Sequence, residues 1–223
     1  MKLHGFIVAL GSIIIVISFI TALVFAHKTK PAYYKYIFAF IVFGGLLSVN
    51  TIASNNYAWQ QGMKTRILFE QVLILLQSST LGFFFLKLLS NSVFYKLIKW
   101  LLVFSILLQI CLIVVVQTAN TEIRPTTIPN LIMLMSCFFY LKDLMNNKPT
   151  LVLVKSSAFW LVMGIFFSSC IGFPVSALIP FISRSDQYLN LRLQIFSIYN
   201  MSLIIMYLFI IKSYTCLKHP QHS

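Results

Sequence analysis

Three polar residues in one apolar stretch, Arg66, Glu70 and Gln77, have the spacing of a single helical face. Residues four and seven positions apart lie on the same side of an α-helix, so Arg66 is the nearest candidate partner for the Glu70 carboxylate. A carboxylate that faced lipid would be costly, so we expect Glu70 to face neighbouring helices or the water boundary. Such a stripe suits either the binding of a small polar ligand or hydrogen bonding between helices.

Further polar residues occur at a comparable expected depth in other apolar stretches. They are Asn50, Gln117, Gln194 and Asn200. Together with the Arg66–Gln77 stripe, these residues predict an outward-facing polar cleft, because ligands of helical bundles usually bind between helices. A second interpretation stays open, since the same groups also serve to join neighbouring helices by hydrogen bonds.

A ladder of small residues recurs every four positions in the sixth apolar stretch. Its members are Gly164, Ser168, Gly172 and Ser176, and Trp160 extends the same stripe upstream. Small residues at this spacing allow another helix to approach closely. Pro174 lies within the ladder and removes one backbone hydrogen bond, so we expect a kink there. The ladder predicts close packing inside a bundle or, alternatively, a hinge or the seam of a homo-oligomer.

The sequence offers few residues that could form a catalytic or metal-binding site. The four histidines lie near the termini or at a loop edge, and the four carboxylates form no pair on one helix face. We find no nucleophile with a matching base, no metal-ligand spacing and no glycine-rich phosphate loop. The sequence therefore predicts a protein that is not an enzyme and that carries no metal or other cofactor.

The composition indicates where these residues must be placed. Of the 223 residues, 59% are hydrophobic and only 9% are charged. Soluble domains carry about 25% charged residues, so this chain lacks the charge that a water-exposed surface requires. The net charge of +13 is distributed between long apolar runs, which argues against a nucleic-acid partner and for a lipid bilayer.

Seven apolar runs are long enough, or nearly so, to cross a bilayer, which takes about 20 residues. They are Leu3–Ala26, Tyr33–Ala53, Ile67–Leu89, Ile98–Gln117, Ile128–Leu144, Ala158–Ile182 and Leu193–Cys216. Their hydrophobic residues do not alternate with polar ones, which favours helices over the strands of a barrel. We therefore expect an all-α polytopic bundle of seven transmembrane helices that forms a single domain over residues 1–223.

The distribution of basic residues predicts the orientation of this bundle. Eleven lysines follow helices 1, 3, 5 and 7, whereas six lysines and arginines lie on the opposite side. Short loops rich in lysine and arginine remain cytoplasmic. We therefore expect a multi-pass protein of the cell inner membrane, with its N-terminus outside and its C-terminus inside.

Two of the predicted cytoplasmic connections combine basic and apolar residues. These are Lys87–Trp100, which reads KLLSNSVFYKLIKW, and Lys142–Ser157, which reads KDLMNNKPTLVLVKSS. Each is suited to lie as an amphipathic segment on the lipid headgroups or, alternatively, to contact a cytosolic partner.

Several local motifs resemble those of small seven-helix membrane proteins of Bacteroidota-type bacteria, many found beside histidine kinases that lack their own sensor. TRILFEQVLILL, with Glu70, resembles the family's third-helix glutamate. SSAFWLVMGIFF, with Phe159 and Trp160, resembles its entry to helix 6, without the family's proline. YNMSLIIMYLFIIKSYTC, with Asn200 and Cys216, resembles its last helix. Many members have an acidic residue late in helix 2, where this chain has Asn50.

The resemblance implies a sensory or signalling role, with a cytosolic histidine kinase as partner. In that case Glu70, Arg66, Gln77, Asn50, Asn200 and Gln194 would shape a ligand site. Helix 6, with Pro174, would be the moving part, and the basic loops would relay the change. The alternatives are a subunit for transport of a small polar solute and a structural subunit of an envelope membrane complex.

Overall fold

The computed structural model describes residues 2–26, 32–53, 63–119, 127–147, 156–182 and 189–216. Within these ranges all regular secondary structure is helical and forms seven helices, which confirms the predicted all-α fold class. They are α1 (Lys2–Ala26), α2 (Tyr34–Ala53), α3 (Met63–Leu88), α4 (Tyr95–Ala119), α5 (Thr127–Asn147), α6 (Ser157–Ile182) and α7 (Leu189–Cys216).

Five helices, α3 to α7, are long and apolar enough to cross a membrane. The described parts of α1 and α2 supply the shorter apolar segments Leu10–Val24 and Tyr34–Asn50. Large apolar side chains remain exposed on the outside, including Val24, Phe104 and Phe138, each about 60% exposed. An apolar exterior of this extent marks a surface that lipid or another apolar partner covers.

The helices form a closed ring in chain order. Each helix packs against the next one, and α7 returns to pack against α1. The helix α3 also contacts α5, which does not follow it directly in the chain. It therefore lies closer to the middle of the ring than contacts with α2 and α4 alone would place it. This arrangement makes α3 the element from which polar side chains can reach several other helices.

Aromatic side chains hold one end of the bundle together. The ring of Tyr34 at the start of α2 packs at a tilt against that of Tyr214 on α7, with centroids 4.8 Å apart. Its hydroxyl also donates to the backbone carbonyl of Ser213 at 3.3 Å. The neighbouring Tyr33 lies edge-on to Phe84 of α3, at 5.7 Å between centroids. The beginning of α2 is thereby fixed to two other helices through directional contacts.

The connection between α3 and α4 is a tight turn, which differs from the amphipathic segment expected over Lys87–Trp100. The amide of Tyr95 donates to the carbonyl of Ser92 at 3.1 Å, and α4 begins there. The hydroxyl of Ser92 donates to Oδ1 of Asp143 on α5 at 2.9 Å. Phe94 stacks on Phe139 of α5 at 4.7 Å between centroids. The turn is therefore fastened to α5. The second segment, Lys142–Ser157, lies mostly outside the described residues.

Candidate functional site

The predicted site residue Gln77 lies where α2, α3 and α7 meet, at Gly44. A Cβ atom placed on Gly44 would come within 3.0 Å of Nε2 of Gln77. The same Cβ atom would also collide with the hydroxyl oxygen of Tyr207 on α7. The absence of a side chain at Gly44 therefore lets two polar groups from different helices reach the interior of the ring.

A second polar group of the interior joins α3 to α4. The hydroxyl of Ser78 on α3 has one proton to donate, and it lies 3.1 Å from Oε1 of Gln109 on α4 and 3.0 Å from the backbone carbonyl of Leu75. The amide nitrogen of Gln109 in turn donates to the hydroxyl of Ser105, one turn away on α4, at 3.1 Å. Gln109 and Ser105 are 2% and 3% exposed, so this short chain of hydrogen bonds is buried between the two helices.

Two buried amide side chains each have one atom without a hydrogen-bond partner among the residues that the structure describes. Gln71 is 4% exposed and its Oε1 atom is unpaired, while Asn50 is 9% exposed and its Nδ2 atom is unpaired. Gln71 lies seven positions before Ser78 and therefore on the face of α3 that meets α4. A buried polar atom without a partner costs about 1–3 kcal/mol, so both positions call for a functional explanation.

The other predicted ligand residues are distributed as follows. Glu70 on α3 and Asn200 on α7 are partly buried, whereas Gln194 on α7 is exposed. The side chains of Arg66 on α3 and Gln117 on α4 lie outside the described residues. The ligand-binding role of this set therefore stays a prediction. Gln77 and Asn50 are the members whose surroundings inside the bundle are described above.

The small-residue ladder of α6 faces helices of the same chain. A Cβ atom on Gly164 would lie 2.8 Å from Cβ of Phe209 and 3.1 Å from the backbone oxygen of Met206, both on α7. A Cβ atom on Gly172 would lie 3.1 Å from Nδ2 of Asn130 on α5. These contacts favour packing inside the bundle over an oligomer seam.

The remaining ladder positions agree with that placement. The Trp160 ring stacks on Phe209 at 5.4 Å between centroids, and Ser168 and Ser176 are both buried. Pro174 is exposed, and α6 continues as helix past it to Ile182. The predicted role of Pro174 as a kink or hinge stays a prediction.

The surface between α5 and α6 carries a groove of a different character. The described residues that line it are apolar on both helices: Leu134, Met135, Phe138, Phe139, Phe166 and Cys170. The groove offers no polar side chain for a ligand, so it is not the polar cleft that the sequence predicts. Residues 54–62, 120–126 and 183–188, which join helices on the side where that cleft was expected, lie outside the described residues.

Sequence reasoning missed the polar residues that lie between α3 and α4. Gln71 and Ser78 form a stripe with seven-residue spacing, directly beside the Glu70–Gln77 stripe that was recognised. Ser105 and Gln109 are two polar residues four positions apart in an otherwise apolar run, which was a usable signal. No signal in the sequence pointed to Tyr207, because tyrosine is common in apolar helices.

Neither a family nor a metal centre is identified. Among the described residues, no group of three histidine, cysteine, aspartate or glutamate side chains is arranged to hold a metal ion. Comparison with protein-family models, curated proteins and solved structures finds no match to the chain. The class therefore follows from the architecture alone, which is that of a multi-pass membrane protein built as a seven-helix bundle.

Proposed function

We propose that this chain is a non-enzymatic sensory module of the cell inner membrane, with its N-terminus outside and its C-terminus in the cytoplasm. A small polar ligand would change the packing of α2 and α3, and the basic loops would relay the change to a cytosolic histidine kinase. Such a ligand must bind the two packing states with different affinity, because otherwise it shifts nothing.

The observation that carries this proposal is the pair of buried amide atoms, Nδ2 of Asn50 and Oε1 of Gln71, that have no partner among the described residues. Membrane helices normally satisfy their polar groups internally, since lipid offers no hydrogen bonds. Retaining two unsatisfied amides makes the present packing less stable than it would be with apolar residues there. A bundle of this kind is suited to change its packing when a ligand supplies the missing hydrogen bonds.

The helix α3 is the natural path of transmission. It runs without interruption from Gln71 to Leu88, about 26 Å at 1.5 Å per residue. It ends at the turn that Ser92 fastens to Asp143 on α5. A shift of α3 would therefore move that turn and, with it, the exposed Lys96 and Lys99 of α4.

The partner is tested by affinity purification from a gently solubilised membrane. Protein tagged at its C-terminus is compared with the charge-reversed variant Lys96→Glu/Lys99→Glu/Lys148→Glu. The matched control, Lys2→Glu/Lys64→Glu/Arg124→Glu, reverses three charges on the side expected to face outward. We expect a histidine kinase to be retained by the wild type and the control, and at least tenfold less by the first variant. Equal retention by both variants would contradict relay through these loops.

Uptake of polar solutes into proteoliposomes separates this function from the transport alternative. A sensory module gives no uptake above empty vesicles for sugars, amino acids or polyols. Uptake that is lost in the Glu70→Gln variant would instead favour a transport subunit and would overturn the proposal.

A further inference from the structure

We propose that the apolar groove between α5 and α6 is a lipid site that holds one acyl chain of an anionic phospholipid, with Lys142 contacting the lipid phosphate. This site is separate from the polar interior, and it depends neither on the sensory role nor on the orientation of the bundle.

The groove has the chemistry of a hydrocarbon site. Its volume is about 380 Å³, within the range of pockets that hold small molecules, and every lining residue is apolar. Met135 and Phe138, which line it from α5, are 38% and 61% exposed, so the groove opens on the outer surface of the ring. A polar ligand would lose its hydrogen bonds there, whereas an acyl chain has none to lose.

A fixed cation lies at one end of this groove. Lys142 follows Phe138 by four positions and Met135 by seven, so all three share one face of α5. The Lys142 ammonium lies 5.5 Å from the centroid of the Phe94 ring, and that ring stacks on the groove residue Phe139. The cation–π contact therefore places the Lys142 charge beside an aromatic ring that packs on the groove lining.

The lysines that follow Phe94 complement a phosphate. Lys96 and Lys99 are exposed in the first turns of α4, whereas the Asp143 carboxylate, which would repel a phosphate, accepts a hydrogen bond from Ser92. On α4 the exposed Lys96 is followed on the same face by Trp100, which is 71% exposed. Lysine and tryptophan at the end of an apolar span are typical anchors at the headgroup level.

Native mass spectrometry of the detergent-solubilised chain tests the headgroup contact. Dioleoyl phosphatidylglycerol and dioleoyl phosphatidylcholine are titrated separately, and the bound lipid is counted. We expect the anionic lipid to bind more tightly, and Lys142→Glu to weaken its binding at least fivefold, since one basic residue near a lipid surface contributes about that factor. The matched control is Lys35→Glu, whose ammonium also lies over an aromatic ring, Tyr36, at 5.2 Å.

The acyl-chain contact is tested by filling the groove. Cys170→Trp places a large ring in it, while Cys111→Trp makes the same change at another exposed cysteine, on α4. We expect the first variant to lose at least tenfold in binding and the second to bind as the wild type does. If Cys170→Trp does not fold, alkylation of the native cysteines by N-ethylmaleimide replaces it, and phosphatidylglycerol should slow the reaction at Cys170 but not at Cys111.

The proposal is overturned if Lys142→Glu and Lys35→Glu bind the anionic lipid alike. Equal binding by the two tryptophan variants would also overturn it, as would equal protection of the two cysteines. Preference for phosphatidylcholine would exclude the phosphate contact at Lys142.

Discussion

The hydroxyl of Ser78 on α3 and the amide oxygen of Gln109 on α4 are 3.1 Å apart and form a partly buried hydrogen bond between the two helices. We expect a double-mutant cycle with Ser78→Ala and Gln109→Leu to give a coupling energy of about 0.6 kcal/mol, the average for hydrogen bonds between membrane helices. Unfolding in bicelles measures it. The control is Ser79→Ala, because the Ser79 hydroxyl donates to the backbone carbonyl of Leu75 in its own helix. A cycle with Ser79 as large as that with Ser78 would contradict this assignment.

Substitution of the unpaired Gln71 should stabilise the protein. Gln71→Met keeps the length of the side chain and removes a buried oxygen without a partner, so we expect a gain of about 1–2 kcal/mol in the free energy of unfolding. Gln109→Met should lose stability instead, because Gln109 is hydrogen-bonded to Ser78 and Ser105. Loss of stability in both variants would mean that Gln71 has a partner, and the basis of the proposed sensory role would fail.

Two adjacent glycines of α2 should respond differently to alanine. A Cβ atom on Gly44 would collide with the Tyr207 hydroxyl, whereas one on Gly45 would lie 3.8 Å from the Ile15 side chain, an ordinary contact. Overpacking of an interior costs about 1–3 kcal/mol, so we expect Gly44→Ala to lower the melting temperature in detergent. Gly45→Ala should leave it nearly unchanged. Similar melting temperatures for the two variants would contradict the described packing of α2, α3 and α7.

The α6 ladder makes a prediction about oligomeric state. Gly164→Ala would bring a Cβ atom against the α7 backbone, so we expect lower thermal stability with no change in the mass measured by light scattering in detergent. Gly11→Ala is the matched control, because its Cβ atom would be 3.8 Å from Ile204 on the same helix α7. Dissociation of an oligomer by Gly164→Ala, with the protomer still folded, would show instead that the ladder joins separate chains.

The orientation predicted from the basic residues is open to a direct measurement. A reporter that is active only in the periplasm should be inactive when fused after Ser223 and active when inserted between α2 and α3. We expect this result because lysines are in excess in the connections that follow odd-numbered helices, and such connections remain cytoplasmic. A reversed result would remove the basis for relay through those connections, while it would leave the fold and the proposed lipid site unaffected.

The number of helices was predictable, and their limits to within about four residues, because a helix that crosses a membrane requires a long apolar run. The predicted run Ala158–Ile182 and the observed α6, Ser157–Ile182, differ by one residue. The interior partners were not predictable to the same extent. Hydrophobic periodicity is weak in helices that are apolar all round, so it could not show that Gln71 faces α4 or that Gly44 admits Tyr207.

The turn between α3 and α4 also lay beyond sequence reasoning, for a different reason. The segment Lys87–Trp100, which contains the turn, combines basic and apolar residues and so resembles an amphipathic segment. What determines its conformation is a set of distant contacts, from Ser92 to Asp143 and from Phe94 to Phe139, across about 45–51 positions of the chain. Composition alone does not reveal such pairs.

Fastening this turn to α5 has a practical consequence. Val93 lies between the two anchoring residues Ser92 and Phe94, yet 93% of its surface is exposed. A spin label or fluorophore introduced there would sit on a backbone that is held on both sides. Its signal would report the motion of the α3–α4 hairpin and α5 as one rigid unit, and not the independent motion of a flexible loop.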